Sequence, residues 1–298
     1  MKKISCVICL AFASLLLVTN DAYSQTSKAV PTSALLYKIE GKGIKKPSYL
    51  FGTIHIICEK DMFPADSLRN YLKQTGQTML EMDMSDPAIL KKVMAASVMK
   101  DGKTVKELLK QEEYAKLDEI YKSYLGVSFD ALASFKPLIS STVLLTSPKV
   151  LGCQPPQVYD NLLAQEAKSR KVPVIGLESA EEQIAVIDSQ SMDEQINALK
   201  ELGSNPQKSI DVFQKLYKVY LSQDSDALYT LAVSEMKEPA FSQAKFLDDR
   251  NARWISVIEK NISVTPTFIG VGAAHLGGKM GVVSLLREKG YTLTPIRF

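Results

Sequence analysis

Read for the alternation of apolar and polar positions, the chain divides into short strand-like runs separated by stretches of helical periodicity. Residues 35–40 and 49–55 predict two strands, joined as a hairpin across the turn-rich Gly41-Lys-Gly-Ile-Lys-Lys-Pro47. Pro64 precedes a predicted helix over 65–73, and 77–83 reads as a third strand. There the period of two puts Glu81 and Asp83 on one face and Leu80 and Met82 on the other. Asp86-Pro87 is a helix start. From there to about residue 145 apolar positions recur at helical spacing (Val105, Leu108, Leu109, then Leu117, Ile120, Tyr121, Tyr124), punctuated by Gly102, Gly126 and Pro137.

An amphipathic helix over 158–170 leads into 172–177, a predicted short buried strand ending at Glu178. A helix follows from about Ala180, for which Glu178 and Ser179 are both candidate N-caps. A second helical stretch breaks at 203–206 and near Pro239 and ends in a helix through Asp249-Arg250-Asn251 and Trp254. The last unit is a strand over 265–271, a turn at His275, a helix to about Lys289 and a strand over 291–296. Strands alternating with helices predict one α/β or mixed α+β domain over 35–298. Its expected form is a central mixed sheet flanked by helices, with large helical insertions at about 86–150 and 190–245.

The N-terminal pattern adds an address. Met1-Lys2-Lys3 is a basic start, residues 4–18 are apolar or small, and Ala22-Tyr23-Ser24 has small residues where a signal peptidase reads, so 1–24 is expected to be a signal peptide. The apolar run is shorter than the roughly 20 residues a spanning helix needs; an uncleaved signal anchor is the alternative. Residues 25–34 predict a flexible segment. With no long apolar run after residue 25, the expectation is an exported protein, periplasmic or secreted, with no membrane span after signal removal.

Composition narrows the partners. Thirty-six Lys and Arg against 33 Asp and Glu leave a net charge of +3 without a basic stripe, which argues against nucleic acid as a partner. The sequence assigns no oligomeric state. Beyond the signal segment the cysteines are Cys58 and Cys153. An oxidising compartment favours one disulfide between them; two free buried thiols, or a metal role for Cys58 three residues after His55, stay open.

Candidate chemistry starts with the only two histidines. Each closes a Gly-x-x-His tetrapeptide directly after an apolar run: Gly52-Thr-Ile-His55 and Gly272-Ala-Ala-His275. Two imidazoles with one or two carboxylates are a usual ligand set for a divalent transition metal. Glu81 and Glu178 stand at comparable strand ends, where ligands collect in open α/β sheets. Gly52 and Gly272 are expected to turn the chain sharply by adopting positive φ. The bland alternatives are a capping and a core histidine, a solvated strand face for Glu81, a cap for Glu178, and a solvated or ion-paired helix face for Arg250 and Asn251.

Five blocks, in order, carry a resemblance. Tyr49-Leu-Phe-Gly-Thr-Ile-His55 with Asp61-Met-Phe-Pro64, Leu80-Glu-Met-Asp83, Gly176-Leu-Glu-Ser179 with Glu182-Gln183, Asp249-Arg-Asn251 with Trp254, and Val271-Gly-Ala-Ala-His275-Leu with the segments at Gly281 and Gly290 resemble the TraB/GumN family, grouped with the PrgY and TIKI proteins. Ala274 stands where that pattern more often has glycine. The resemblance implies the fold of the TIKI, erythromycin-esterase-like and ChaN-like proteins. It also implies a divalent ion (Mn, Co or Zn) held by His55, His275 and Glu81, with Glu81 as ligand or general base. Glu178 would be a further acidic participant, and Arg250 with Asn251 would stabilise charge or orient substrate. The expected activity is that of a metal-dependent hydrolase, a peptidase or protease on a peptide or protein substrate. Alternatives are a non-enzymatic binder of peptide, glycan or haem, and metal-free hydrolysis with a histidine as general base.

Overall fold

Among the described residues eight strands form in chain order: β1 (Leu36–Gly41), β2 (Ser48–Thr53), β3 (Ile57–Cys58), β4 (Gln77–Leu80), β5 (Pro156–Gln157), β6 (Val174–Gly176), β7 (Thr267–Gly272) and β8 (Tyr291–Ile296). The structure is a computed structural model that describes residues 32–63, 65–236 and 242–298. The expected signal peptide, most of the expected flexible segment, Pro64 and the break near Pro239 lie outside the described residues. Six strands make one mixed sheet in the order β6-β4-β7-β2-β1-β8, and β3 pairs with β5 apart from it.

In that sheet β6, β4, β7 and β2 are mutually parallel neighbours, and β1 runs antiparallel to both β2 and β8. Burial explains the arrangement. Every residue of β2 and β4 is buried, as parallel strands covered on both faces must be. The chain skips a position between β2 and β4, which β7 later fills. The two Gly-x-x-His turns therefore follow adjacent strands, with Thr53 beside Gly272 and Leu80 beside both Gly270 and Gly176. Four carboxyl ends meet at one edge.

Strand limits differ from expectation where tertiary bonds end the ladder. β2 stops at Thr53, two residues short of His55, and β4 stops at Leu80, so Glu81 and Asp83 do not share a strand face. Glu81 leaves the ladder to reach Gly272 N–H, while Asp83 accepts bonds from Ser85 in a local turn. Strand β6 is a half-buried edge rather than a buried strand, because only β4 flanks it.

The α-helices of the described residues are α1 (Ala65–Leu72), α2 (Pro87–Ser97), α3 (Gln111–Leu125), α4 (Pro137–Leu145), α5 (Pro148–Leu151), α6 (Tyr159–Ser169), α7 (Ala180–Ile187), α8 (Met192–Ser204), α9 (Pro206–Leu221), α10 (Ser225–Glu235), α11 (Asp249–Ile262) and α12 (Val282–Glu288). Asp86 caps α2, and Ser179, not Glu178, caps α7 in a reciprocal box with Glu182. Freed from capping, Glu178 turns inward. The main core packs Phe51, Phe268, Trp254 and Tyr220 around the sheet. A second core joins Leu117 and Tyr121 of α3 and Leu144 of α4 to Ile196, Leu199 and Leu202 of α8, so the helical stretches on either side of β6 share one interior.

Cys58 and Cys153 are bonded, with Cα atoms 5.8 Å apart, which ties β3 to the segment before β5. Among the described residues no helix is long and apolar enough to cross a membrane. The disulfide is compatible with export.

Candidate active site

Arg250 is the hub of the polar cluster at the strand ends. It lies in the first turn of α11, directly after a π-helical turn over Ala244–Asp248, and its side chain is 6% exposed. Arg250 Nη2 donates to Glu81 Oε2 at 2.6 Å, to Glu178 Oε1 at 2.6 Å and to Gln183 Oε1 at 2.8 Å. Its Nε donates to Glu178 Oε2 at 3.1 Å, and its Nη1 donates to the Phe246 carbonyl in the π-helical turn at 3.1 Å. Trp254, one helical turn on, lies under the guanidinium at 4.8 Å and donates its indole N–H to Glu178 Oε2 at 3.3 Å. A guanidinium buried with two carboxylates in bidentate reach is the arrangement that compensates its desolvation.

The same guanidinium determines the tautomer of His275. Arg250 Nη1 is 3.1 Å from His275 Nε2, and arginine only donates, so Nε2 carries the lone pair. The proton is on Nδ1, which donates to Asn251 Oδ1 at 2.6 Å. Asn251 confirms the direction from its other end, where Nδ2 donates to the carbonyls of Met280 at 2.9 Å and His275 at 3.4 Å. Burial lowers the His275 pKa to about 3, against the opposing pull of Glu81, so the ring is neutral at physiological pH.

Glu81 is ionised. Burial acts to raise its pKa, but His275 when charged, Arg250, His55 and the Gly272 N–H, which donates to Oε1 at 2.7 Å, together bring it down to about 2. With His275 neutral near pH 7, Arg250 supplies the positive charge. Glu178 shifts the other way, raised by burial and only partly offset by Arg250.

The glycines work by close approach. Gly272 has φ of −51°, and Gly52 is not among the positive-φ residues, so the expected positive φ is corrected. A Cβ on Gly52 would lie 2.7 Å from Leu276 Cδ1, and one on Gly272 3.2 Å from Glu81 Oε1. Any side chain there would push the two histidine turns, or the turn and Glu81, apart.

His55 is placed differently from its counterpart. Its side chain is 78% exposed on the wall of a cavity of about 400 Å³ that is also lined by Glu81, Arg250 and His275. Asp160, in the first turn of α6, faces His55 Nδ1 at 3.9 Å and raises its pKa. The structure thus brings together Glu81, Glu178, Arg250, Asn251 and His275 and leaves His55 across the cavity; Cys58 is committed to its disulfide. Sequence reasoning missed Asp160 and assigned no role to Gln183. Asp160 lies in an unremarkable helix start, and only its meeting with His55 marks it.

The donor chemistry fits a divalent ion. A neutral imidazole whose Nδ1–H is held by a second residue, beside an ionised carboxylate, is how metal-binding histidines are oriented. Glu81 Oε1 and His275 Nε2 are 3.9 Å apart, and the Nε2 lone pair accepts from Arg250 Nη1 at 3.1 Å. Among the described residues no group of three or more His, Cys, Asp or Glu stands close enough to hold an ion.

The chain is 22% identical over 333 positions to "Metalloprotease TIKI2" of Danio rerio, covering 92% of this chain and 63% of that protein. It is 22% identical over 304 positions to "Metalloprotease TIKI1" of Homo sapiens, covering 82% and 59%. The chain therefore spans about three fifths of the length of these curated relatives. No solved structure matches it significantly. The model of the TraB/PrgY/gumN family matches residues 35–295, from the start of β1 into β8 and across every strand end that builds the site, and the chain belongs to that family.

Proposed function

We propose that this chain is an exported, divalent-metal-dependent hydrolase that cleaves peptide or protein substrates. The observation that carries this reading is the pairing, in one cavity, of a neutral His275 Nε2 lone pair with the ionised Glu81. The names of the relatives, both metalloproteases, support the same class. His275 and Glu81 would hold the ion, with His55 across the same cavity. When bound, it supplies Lewis acidity to the scissile carbonyl and to an attacking water.

The other residues have separable tasks. Asn251 keeps the Nδ1 proton of His275 in place, so that Nε2 always faces the cavity as a lone pair. Glu178, Gln183 and Trp254 hold the guanidinium of Arg250 in one orientation. Arg250 then offers a fixed positive charge to the oxygen that becomes negative as water adds to the carbonyl carbon, a preorganised stabilisation that needs no movement at the moment of reaction. As the C–N bond breaks, the proton lost by the water passes to the departing amine nitrogen.

A second reading rests on His55. Its exposure and its partner Asp160 suit a group that exchanges protons with substrate, so His55 would serve as general base in a metal-free hydrolysis. His275, with its lowered pKa, is poorly suited to that task.

One experiment separates these readings. The protein is stripped with chelator, refilled with Mn, Co or Zn, and assayed for metal content and for peptide cleavage. Near-stoichiometric metal that is lost in Glu81→Ala and His275→Ala, with activity following it, is expected. Metal content unchanged by those substitutions would sink the proposal. Activity that survives chelation but falls in His55→Ala would favour the second reading, and saturable ligand binding without product would leave a binding protein.

A further inference from the structure

The cavity that holds the polar cluster is two-sided. At one end stand His55, Glu81, Arg250 and His275; the remaining wall is built by Ile54, Val186 of α7, Phe213 and Leu216 of α9, and Leu228 and Ala232 of α10. Among the described residues no charged side chain lines that wall. The two charged groups at the polar end, Glu81 and Arg250, already pair with each other, and Glu178 adds a second carboxylate to the same arginine. A charged substrate group placed among the apolar residues would lose its hydration and meet no partner. The cavity, about 400 Å³, lies in the range of small-ligand sites, which combine an apolar lining with a few convergent polar groups.

We infer that the apolar wall is a specificity subsite that takes a large aliphatic or aromatic side chain of the substrate, directly beside the bond to be cut. The occupant is a side chain of a peptide because the apolar wall is continuous with the polar cluster: a residue seated there holds its own backbone carbonyl at the strand ends. This rests on the peptidase reading above and adds to it a substrate class, peptides with leucine, phenylalanine or methionine next to the scissile bond. Glycine, alanine and charged residues are poor occupants, the first two because they leave the wall unfilled. Ala232 of α10 is a small residue of that wall, and enlarging it narrows the subsite.

The test uses one peptide framework with Gly, Ala, Leu, Phe, Asp or Lys at a single position, and in parallel the binding of N-acetyl-leucinamide and N-acetyl-aspartamide by saturation-transfer NMR. Wild-type protein is expected to cleave the Leu and Phe peptides about 10- to 100-fold faster in kcat/KM than the Ala peptide. Ala232→Phe, checked for an unchanged melting temperature, is expected to remove most of that preference while sparing the Ala peptide. Phe213→Ala is expected to shift the optimum toward larger side chains. Cleavage without apolar preference, or a preference that Ala232→Phe and Phe213→Ala leave unchanged, overturns the inference while the peptidase reading stands. If no peptide is cut, selective binding of the leucinamide that Ala232→Phe abolishes supports the subsite and removes the peptidase reading. No cleavage and no selective binding overturns the subsite as well.

Discussion

His275 and Asn251 are joined by a 2.6 Å hydrogen bond in which the imidazole Nδ1–H donates to the amide oxygen. Asn251 is fully buried and spends both of its other polar contacts on backbone carbonyls, so the bond has one direction. Removing the acceptor in Asn251→Ala is expected to lower metal affinity or hydrolysis about 10- to 100-fold. A stability loss of about 1–3 kcal/mol from the stranded partners is expected with it. Asn251→Asp, which keeps an acceptor, should retain the Nδ1–H tautomer. With only two imidazoles in the chain, ¹⁵N NMR reads this directly, and a proton on Nε2 of His275 in the wild-type protein would refute the assignment.

Arg250 compensates two buried carboxylates at once. Arg250→Met is expected to destabilise the fold by about 3–5 kcal/mol, since Glu178 and Glu81 are left buried without their cation. Adding Glu178→Gln to that variant should recover part of the loss. Urea denaturation at pH 7 measures both; a single variant within about 0.5 kcal/mol of wild type, the range of ordinary surface substitutions, would contradict the hub role.

Asp160 holds His55 in its protonated form at higher pH than an unpartnered ring. The sign follows from the direction of the shift: the folded protein takes up the proton first, so this contact favours folding below the ordinary histidine pKa and its contribution fades as pH rises through the raised one. Exposure of His55 keeps that contribution small. Asp160→Asn is expected to bring the His55 titration, followed by NMR, back toward about 6.5. A midpoint that does not move would remove Asp160 from the site.

The disulfide closes a long loop, its cysteines 95 positions apart in sequence. Its loss in Cys58→Ala/Cys153→Ala, or on reduction, is expected to lower stability by about 4–5 kcal/mol through the freed unfolded chain. Coincident urea transitions for oxidised and reduced protein would show that the bond contributes nothing.

Much of the fold was legible because buried parallel strands and amphipathic helices leave periodic traces. The runs at β2, β7 and β8 and the caps at Asp86 and Ser179 could be read within a few residues. The short pair β3–β5 could not, since two-residue strands have no period. Glu81 illustrates the limit at a site: alternation extended its strand to Asp83, whereas the strand ends at Leu80 and the Glu81 carboxylate accepts from Gly272 N–H.

What the sequence determined alone was which residue types end which strands: two histidines and two glutamates after apolar runs, and an Arg-Asn pair in an amphipathic helix. The tertiary structure decided their inequality. The two Gly-x-x-His turns look alike in the chain, but the β7 turn faces α11 and is enclosed by Arg250, Asn251 and Trp254. The β2 turn stands at the cavity wall beside Asp160. The same imidazole is therefore neutral and immobilised at position 275 and exposed and more easily protonated at position 55, because solvent access and charged neighbours are set by strand order, which local patterning does not encode.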